Sequence, residues 1–239
     1  MTKNAHDNHY KDTIALIKKF VDSNQRKRIN LLKDIESSVD SIFAIGKDLF
    51  DDFDQNSDDW APGWFLQVLK KHKPVFFNNN SFNNWFSTYS DANINYEELQ
   101  LNLLEQNYET ADRLTSAYLR KLAGSLAEKR GYVFFSEVSN MSGTDLMTID
   151  KLWNVYSNGK FGFSIQAKIL KSVGKKYELL WPKIGWKKDG FWTRYPNSFS
   201  WSIEAPEGHM PLINQLRGVR LMDSILRHPA IALRHNIIL

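Results

Sequence analysis

Through most of the chain apolar residues recur every three to four positions, the spacing that lays one stripe along an α-helix. From Leu31 onward, Leu32, Ile35, Val39, Ile42, Leu49 and Phe53 share such a stripe, predicting a helix that the acidic run 51–59 ends. Residues 12–21 predict a shorter helix before it. Ala-Pro-Gly at 61–63 reads as a turn, and Trp64, Phe65, Val68 and Leu69 as a short helix ending near Pro74. A helical pair follows, 96–106 with Leu99, Leu103 and Leu104, then 108–122 with Ala111, Leu114, Ala117, Tyr118 and Leu122. Gly124 stands where a left-handed carboxy-cap is wanted. Thr144 or Asp145 caps a helix running to Tyr156, with Leu146, Ile149, Leu152 and Trp153 inward. On it, Asp145 suits the positive helix end and Asp150 a solvated face. Asn158-Gly159 ends that helix, since both tolerate positive φ. Another helix spans 162–173 with Phe163, Ile165, Ile169 and Leu170, closed by Gly174, and a last one spans 211–229. Position by position, these stripes read first as ordinary core.

Two stretches break the period. Residues 77–95 are rich in Asn and Ser and read as a linker, although Phe82, Trp85 and Phe86 within it are able to dock on a neighbour. Between these two, the short segment 132–138 suits an extended or a helical segment equally and is too short to decide. Residues 181–201 hold seven aromatics, Trp181, Trp186, Phe191, Trp192, Tyr195, Phe199 and Trp201, broken by Pro182, Gly185, Gly190 and Pro196. Such a segment is loop-like, and a surface loop with this many aromatics needs something to cover it.

Composition narrows the classes. With 239 residues, 42% hydrophobic and 24% charged, the chain can bury a core in one or two domains. It has no cysteine, which excludes disulfides, thiolate metal sites and any thioether-linked pigment, so a bound pigment is held non-covalently. No apolar run reaches the roughly 18 residues that span a bilayer. The amino terminus lacks an apolar signal core and carries Asp7 and Asp12, unlike an acid-poor transit peptide. Together with the many Asn and Lys residues, this predicts a plastid-encoded protein of the stroma, with cyanobacterial cytoplasm as the alternative. The net charge of +4 is uneven: −3 over residues 1–100 and +7 over 101–239. A basic half favours an acidic partner, whether phosphate, carboxylate, nucleic acid or an anionic membrane face.

The motifs of familiar catalysis are missing: no phosphate loop, no nucleophile elbow, no His-Glu-x-x-His. No catalytic residue and no protein-held metal is expected. His209, beside the aromatic loop, suits an axial ligand or an acid-base group, but more simply a hydrogen bond to a neighbouring loop. The notable pattern is joint: an aromatic loop containing Trp186, Trp192 and Tyr195, followed closely by Arg217 and Arg220. A flat conjugated acid needs apolar walls for its faces and Arg forks for its carboxylates. Single-stranded RNA needs the same ingredients. The pattern alone leaves tetrapyrrole and RNA level, with plain core packing ahead of both.

The run Asp-Leu-Met-Thr-Ile-Asp-Lys-Leu-Trp-Asn-Val-Tyr-Ser-Asn-Gly-Lys-Phe-Gly-Phe-Ser-Ile-Gln at 145–166 resembles the signature of the genomes-uncoupled-four family, porphyrin-binding regulators of magnesium chelatase. Tyr-Glu-Thr-Ala-Asp at 108–112, Leu-Trp-Pro-Lys-Ile-Gly-Trp at 180–186 and Phe-Ser-Trp-Ser-Ile-Glu-Ala-Pro-Glu-Gly-His-Met-Pro at 199–211 agree in order, as do 214–220 and 227–229. The resemblance implies an all-α fold: an amino-terminal helical bundle over 1–90, a helical tetrapyrrole-binding domain over 95–229 with a long aromatic loop, and a tail from 230 to 239. It implies binding of protoporphyrin IX or magnesium-protoporphyrin and stimulation of the chelatase through its large subunit. Association with a membrane face is also expected, and nucleic acid is not. By position, the family's ligand contacts fall on Tyr108, Leu126, Phe135, Tyr195, Arg217 and Arg220. Tyr195 stands where cyanobacterial members carry Trp, and Met210 where they carry Leu. The rival reading is a bilin or pigment sensor or carrier with no chelatase role.

Overall fold

The computed structural model describes residues 2–78, 82–213 and 219–234. The fold is all-α. The first half contains α1 (Thr2–Val21), α2 (Gln25–Glu36), α3 (Val39–Ile45), a 3-10 turn (Gly46–Phe50) and α4 (Ala61–His72). The stripe expected on one helix after Leu31 is therefore divided. Ser37 and Ser38 turn their hydroxyls back onto the Asp34 carbonyl, at 2.6 and 3.4 Å, which competes with continuing the helix. Gly46, at φ +68°, then ends α3.

Ala-Pro-Gly at 61–63 is not a turn but the first turn of α4. Proline suits that position because its missing N–H is one the helix would leave unpaired. Asp59 caps the start, accepting from the Ala61 N–H at 2.9 Å. Residues 61–69 are all buried, so α4 is the central strut of the molecule. Gly63 is required there: a Cβ would lie 2.2 Å from the Val155 carbonyl oxygen, where α4 crosses the end of a later helix.

The second half contains α5 (Glu97–Leu104), α6 (Tyr108–Ala123), α7 (Ser125–Arg130), a 3-10 turn (Phe135–Asn140), α8 (Gly143–Val155), α9 (Phe163–Ser172) and α10 (Tyr177–Lys183). A two-residue antiparallel hairpin follows, β1 (Lys187–Lys188) and β2 (Phe191–Trp192), with Lys187 opposite Trp192. α11 (Arg220–Leu226) and α12 (Pro229–Arg234) complete the described chain. Of the helix expected over 211–229, residues 211–213 are not helical, and 220–226 form α11, which ends before Pro229 opens α12; residues 214–218 lie outside the described residues.

Residues 82–86 of the Asn-rich stretch are anchored. Phe82, Trp85 and Phe86 are buried; Phe86 meets Tyr156 edge-on at 5.3 Å, and Gln100 brackets the Phe86 backbone with bonds of 2.9 and 3.2 Å. One apolar core runs from Ile17 to Ile231.

Two expectations on α8 change. Its cap is Ser142, whose hydroxyl accepts from the Asp145 N–H. Asp145 is itself buried and accepts from Ser90, Tyr96 and the Asp91 and Ala92 N–H groups. Burial pushes its pKa up, but bonds from Ser142, Ser90, Tyr96 and Ala92 outweigh that and hold it below the usual range. Asp150 is not on a solvated face; it is fully buried, accepts from the Ser164 N–H at 2.9 Å and pairs with Arg234 at 2.7 Å. The reason is tertiary: the Gly162–Phe163 turn brings the start of α9 down onto it.

Candidate functional site

α6 organises the site. α7 and the Phe135–Asn140 turn both pack against it, and α11 packs against the turn. The turn is fixed at its start by Glu137, which accepts from the Phe134 N–H at 2.7 Å and pairs with Arg130 at 2.7 Å. The Arg130 guanidinium lies under the Phe134 and Tyr132 rings, 4.1 and 4.7 Å from their centroids. With its underside held, the turn presents Phe134 and Phe135 to solvent, Phe135 at 44% exposure. Leu126 on α7 is 70% exposed, and Val219, just before α11, is also exposed. Exposed apolar groups are thus concentrated on this surface of α7, the turn and the approach to α11. Arg220 stands over the Phe135 ring at 5.3 Å, placing a cation at the edge of that surface.

The aromatic loop has a buried inner part and an exposed outer part. Inside, Trp181 and Trp186 stack at 5.6 Å with an interplanar angle of 8°. Trp186 is fully buried and donates its indole N–H to the His209 carbonyl at 2.8 Å. Outside, the hairpin carries the exposed Phe191 and Trp192; Trp192 touches Trp181 at 5.4 Å and lies under the Lys187 ammonium. Tyr195 is exposed and rests against Phe199 and Trp201 at 6.1 and 5.9 Å. It stands beside α6, within electrostatic reach of Asp112, Arg113 and Glu109; burial first, then Asp112, raises its phenol.

The sequence candidates therefore separate. Leu126 and Phe135 lie on elements packed on α6, Tyr195 beside it, Arg220 on α11 over the turn, and Trp192 on the hairpin. Tyr108 and Trp186 have no open surface. Tyr108 opens α6 on its inward side, where it stacks on Trp153 at 6.2 Å and donates to the Tyr156 carbonyl at 3.2 Å. Tyr108 packs in the core, and Trp186 backs Trp181, which Trp192 touches. Arg217 lies outside the described residues. His209 has no free nitrogen: Nδ1 bonds the Ile184 carbonyl at 2.6 Å and Nε2 accepts from the Ser200 N–H at 3.3 Å. Burial pushes its pKa down, so the neutral ring that fits both partners is favoured. Its place in the site is to brace the loop, not to act as an axial ligand.

Sequence reasoning missed Phe134 and Val219, whose exposure depends on a short turn with no readable period, and Arg130, whose role appears only under the rings. A groove of about 960 Å³ lies elsewhere, between α2, α4 and residues 203–207, and none of the candidate residues lines it.

A family model described as GUN4-like matches residues 89–229. The chain is 48% identical over 144 residues to the "Ycf53-like protein" of Synechocystis, covering 60% of this chain and 62% of that one. It is 40% identical over 146 residues to the "Tetrapyrrole-binding protein, chloroplastic" of Arabidopsis thaliana, covering 57% and 55%. The match thus spans about three fifths of those relatives' length. The solved structure of GUN4 from Chlamydomonas reinhardtii superposes with a TM-score of 0.58 at 40% identity, over 61% of this chain and 95% of that one. The ligand-free structure of Arabidopsis thaliana GUN4 superposes with 0.54 at 42%, over 58% and 99%.

Proposed function

Because the chain belongs to the GUN4-like family, we propose that it holds a porphyrin non-covalently, protoporphyrin IX or its magnesium form, and catalyses nothing itself. In this reading it stimulates magnesium chelatase in chlorophyll synthesis by acting on the large porphyrin-binding subunit. The setting is the plastid stroma or, alternatively, cyanobacterial cytoplasm; relatives of both sources match.

The observation that carries the reading is the pairing of bare apolar side chains with a cation at their edge. Leu126, Phe134 and Phe135 are exposed on α7 and the turn packed on α6, Val219 is exposed just before α11, which packs on that turn, and Arg220 stands over Phe135. These residues fit a flat amphipathic acid. Its faces are buried at about 25 cal/mol per Å², and its carboxylates pair with Arg220 and, by the family resemblance, Arg217. Arg pairs at a wet rim are worth only about 0–1 kcal/mol each, so they orient the ligand more than they hold it. Tyr195 and Trp192 supply the loop-side wall, with Trp186 behind it through Trp181 and Tyr108 in the core. Residues 95–229 form the binding unit in this reading, and residues 1–90 buttress it through α4. Exposed Phe191 and Trp192 beside Lys187 and Lys188 have the composition favoured where a protein meets a membrane face.

Titration with deuteroporphyrin and its magnesium form, followed by tryptophan quenching, tests the binding. Unchanged fluorescence at high ligand excess would sink it. A magnesium chelatase assay with and without the protein tests the second half: an unchanged rate leaves a pigment carrier with no chelatase role.

A further inference from the structure

The porphyrin-binding reading makes no use of the groove of about 960 Å³ between α2, α4 and residues 203–207. Its volume is in the range of sites that hold small organic molecules. α2 supplies one wall with Arg26, Ile29 and Lys33, which are three and four residues apart and so stand in one line along the helix. Ile29 is 49% exposed, and Leu32, Trp64, Val68 and Ile203 continue the apolar lining. The charges divide by side. Beside α4, Lys71 pairs with Glu36 at 2.9 Å, and Glu36 also meets His72 at 2.8 Å. On the far wall Glu204 and Glu207 stand with Lys160, whose ammonium donates to the Ile203 carbonyl at 2.6 Å. Arg26 and Lys33 are exposed and join no ion pair or side-chain hydrogen bond among the described residues, not even with the two acids across the groove. They stand roughly 10 Å apart along the α2 axis.

We propose that this groove is a second binding site, for a small amphipathic organic anion. Its acidic head lies on the Arg26–Lys33 edge of α2, and its apolar body covers Ile29, Trp64 and Val68. The site goes beyond the porphyrin-binding reading and does not depend on it. The lining sets the class of ligand. Bare apolar side chains in a recess favour an apolar body over them. Two cations without a counter-charge on one edge favour an anionic head there, and Glu204 and Glu207 across the groove repel it, so the head has one direction to point. A cationic head is disfavoured, because Lys160 already stands on the acidic wall and Glu36 is already paired. An occupant bridges α2 and α4 of the first half of the chain to residues 203–207 of the second. Exposed ion pairs are each worth up to about fivefold in affinity, so reversing both cations should weaken an anion by about tenfold.

The experiment is fluorescence titration of the full chain with the dye 8-anilinonaphthalene-1-sulfonate and with its uncharged counterpart, N-phenyl-1-naphthylamine. The sulfonate should bind saturably, and dodecanoate should displace it. In the double variant Arg26→Glu with Lys33→Glu, the sulfonate should bind about tenfold more weakly, while the uncharged dye stays within about twofold of wild type. Phe135→Ala, which strips the wall proposed for porphyrin, should leave that charge-sensitive binding in place. Salt gives the same check on the wild type and so covers a variant that does not fold: raising it to about 0.5 M should weaken the sulfonate and not the uncharged dye. The inference is overturned by any of four results: no saturable sulfonate binding, no displacement by dodecanoate, equal sulfonate affinity in the double variant, or a loss produced by Phe135→Ala instead. An affinity for the sulfonate that does not move with salt overturns it too. None of these results bears on porphyrin binding, which deuteroporphyrin quenching tests separately.

Discussion

Replacing Arg234 with Ala tests how α12 is held. The Arg234 side chain is buried, donates to the Met147 carbonyl at 3.3 Å, and pairs with Asp58 and Asp150. The two acids differ in what they lose. Asp58 is 38% exposed, so water replaces its partner and the loss is about 0–1 kcal/mol. Asp150 is 0% exposed and retains only the Ser164 N–H among its described hydrogen bonds. The Arg234 Nε–H is not aimed well enough at Asp150 Oδ2 to count as a hydrogen bond, so the contact is mainly charge against charge at 2.7 Å. Removing one partner of a buried pair costs about 3–5 kcal/mol, because the other charge stays buried alone. With imperfect alignment, the lower end applies, about 3 kcal/mol. For a chain of this size that is a fall in Tm of roughly 6–12 °C. Urea unfolding followed by circular dichroism gives the free energy directly. The double variant Asp150→Asn with Arg234→Met, which removes both charges, should recover most of the loss. A loss below about 1 kcal/mol in Arg234→Ala would refute the reasoning. So would a double variant no more stable than the single one.

Gly63→Ala should destabilise the protein by about 3 kcal/mol or more in the same unfolding assay, because its Cβ would meet the Val155 carbonyl at 2.2 Å and force α4 off α8. Phe135→Ala should weaken deuteroporphyrin about tenfold, whereas Arg220→Ala should cost no more than about fivefold, as wall burial outweighs a wet ion pair; equal large losses by fluorescence titration would mean the rim is dry. Asp112 also makes stability depend on pH. Its folded pKa, raised by burial to about 7, lies above the ordinary aspartate value of 3.8, so its contribution is fully present below about 4 and is lost as pH rises to 7. Above pH 7, Asp112→Asn should therefore be more stable than wild type by an amount of the order of 4 kcal/mol, and chemical denaturation at pH 4.5 and 8 should show that gap closing on acidification.

Much of the architecture was legible in the chain itself. The three-to-four period located most helices, because a helix must turn its apolar stripe inward whatever it packs against. Asn158-Gly159 and Gly174 marked real ends, with φ of +57°, +73° and +67°, because that backbone region is steeply selective for residue type. The blocks at 108–112, 145–166, 180–186 and 199–211 were enough to place the family. Period alone could not foresee that Ser37 and Ser38 would split a stripe, or that a proline would open α4 rather than end something.

The site depended more on the third dimension. The same residue type, at comparable places in the pattern, ended on opposite sides of the wall: Trp186 fully buried and Trp192 half-exposed, Tyr108 buried and Tyr195 exposed. Asp150 looked like a solvated carboxylate until α9 and α12 closed over it. Sequence by itself determined the helices, the absence of thiol chemistry and the presence of a basic, aromatic carboxy-terminal half, because each follows from local geometry or from composition. Only the tertiary structure decided which aromatics face outward, which carboxyls are buried and what Arg234 holds, because burial depends on what the rest of the chain brings to the other side.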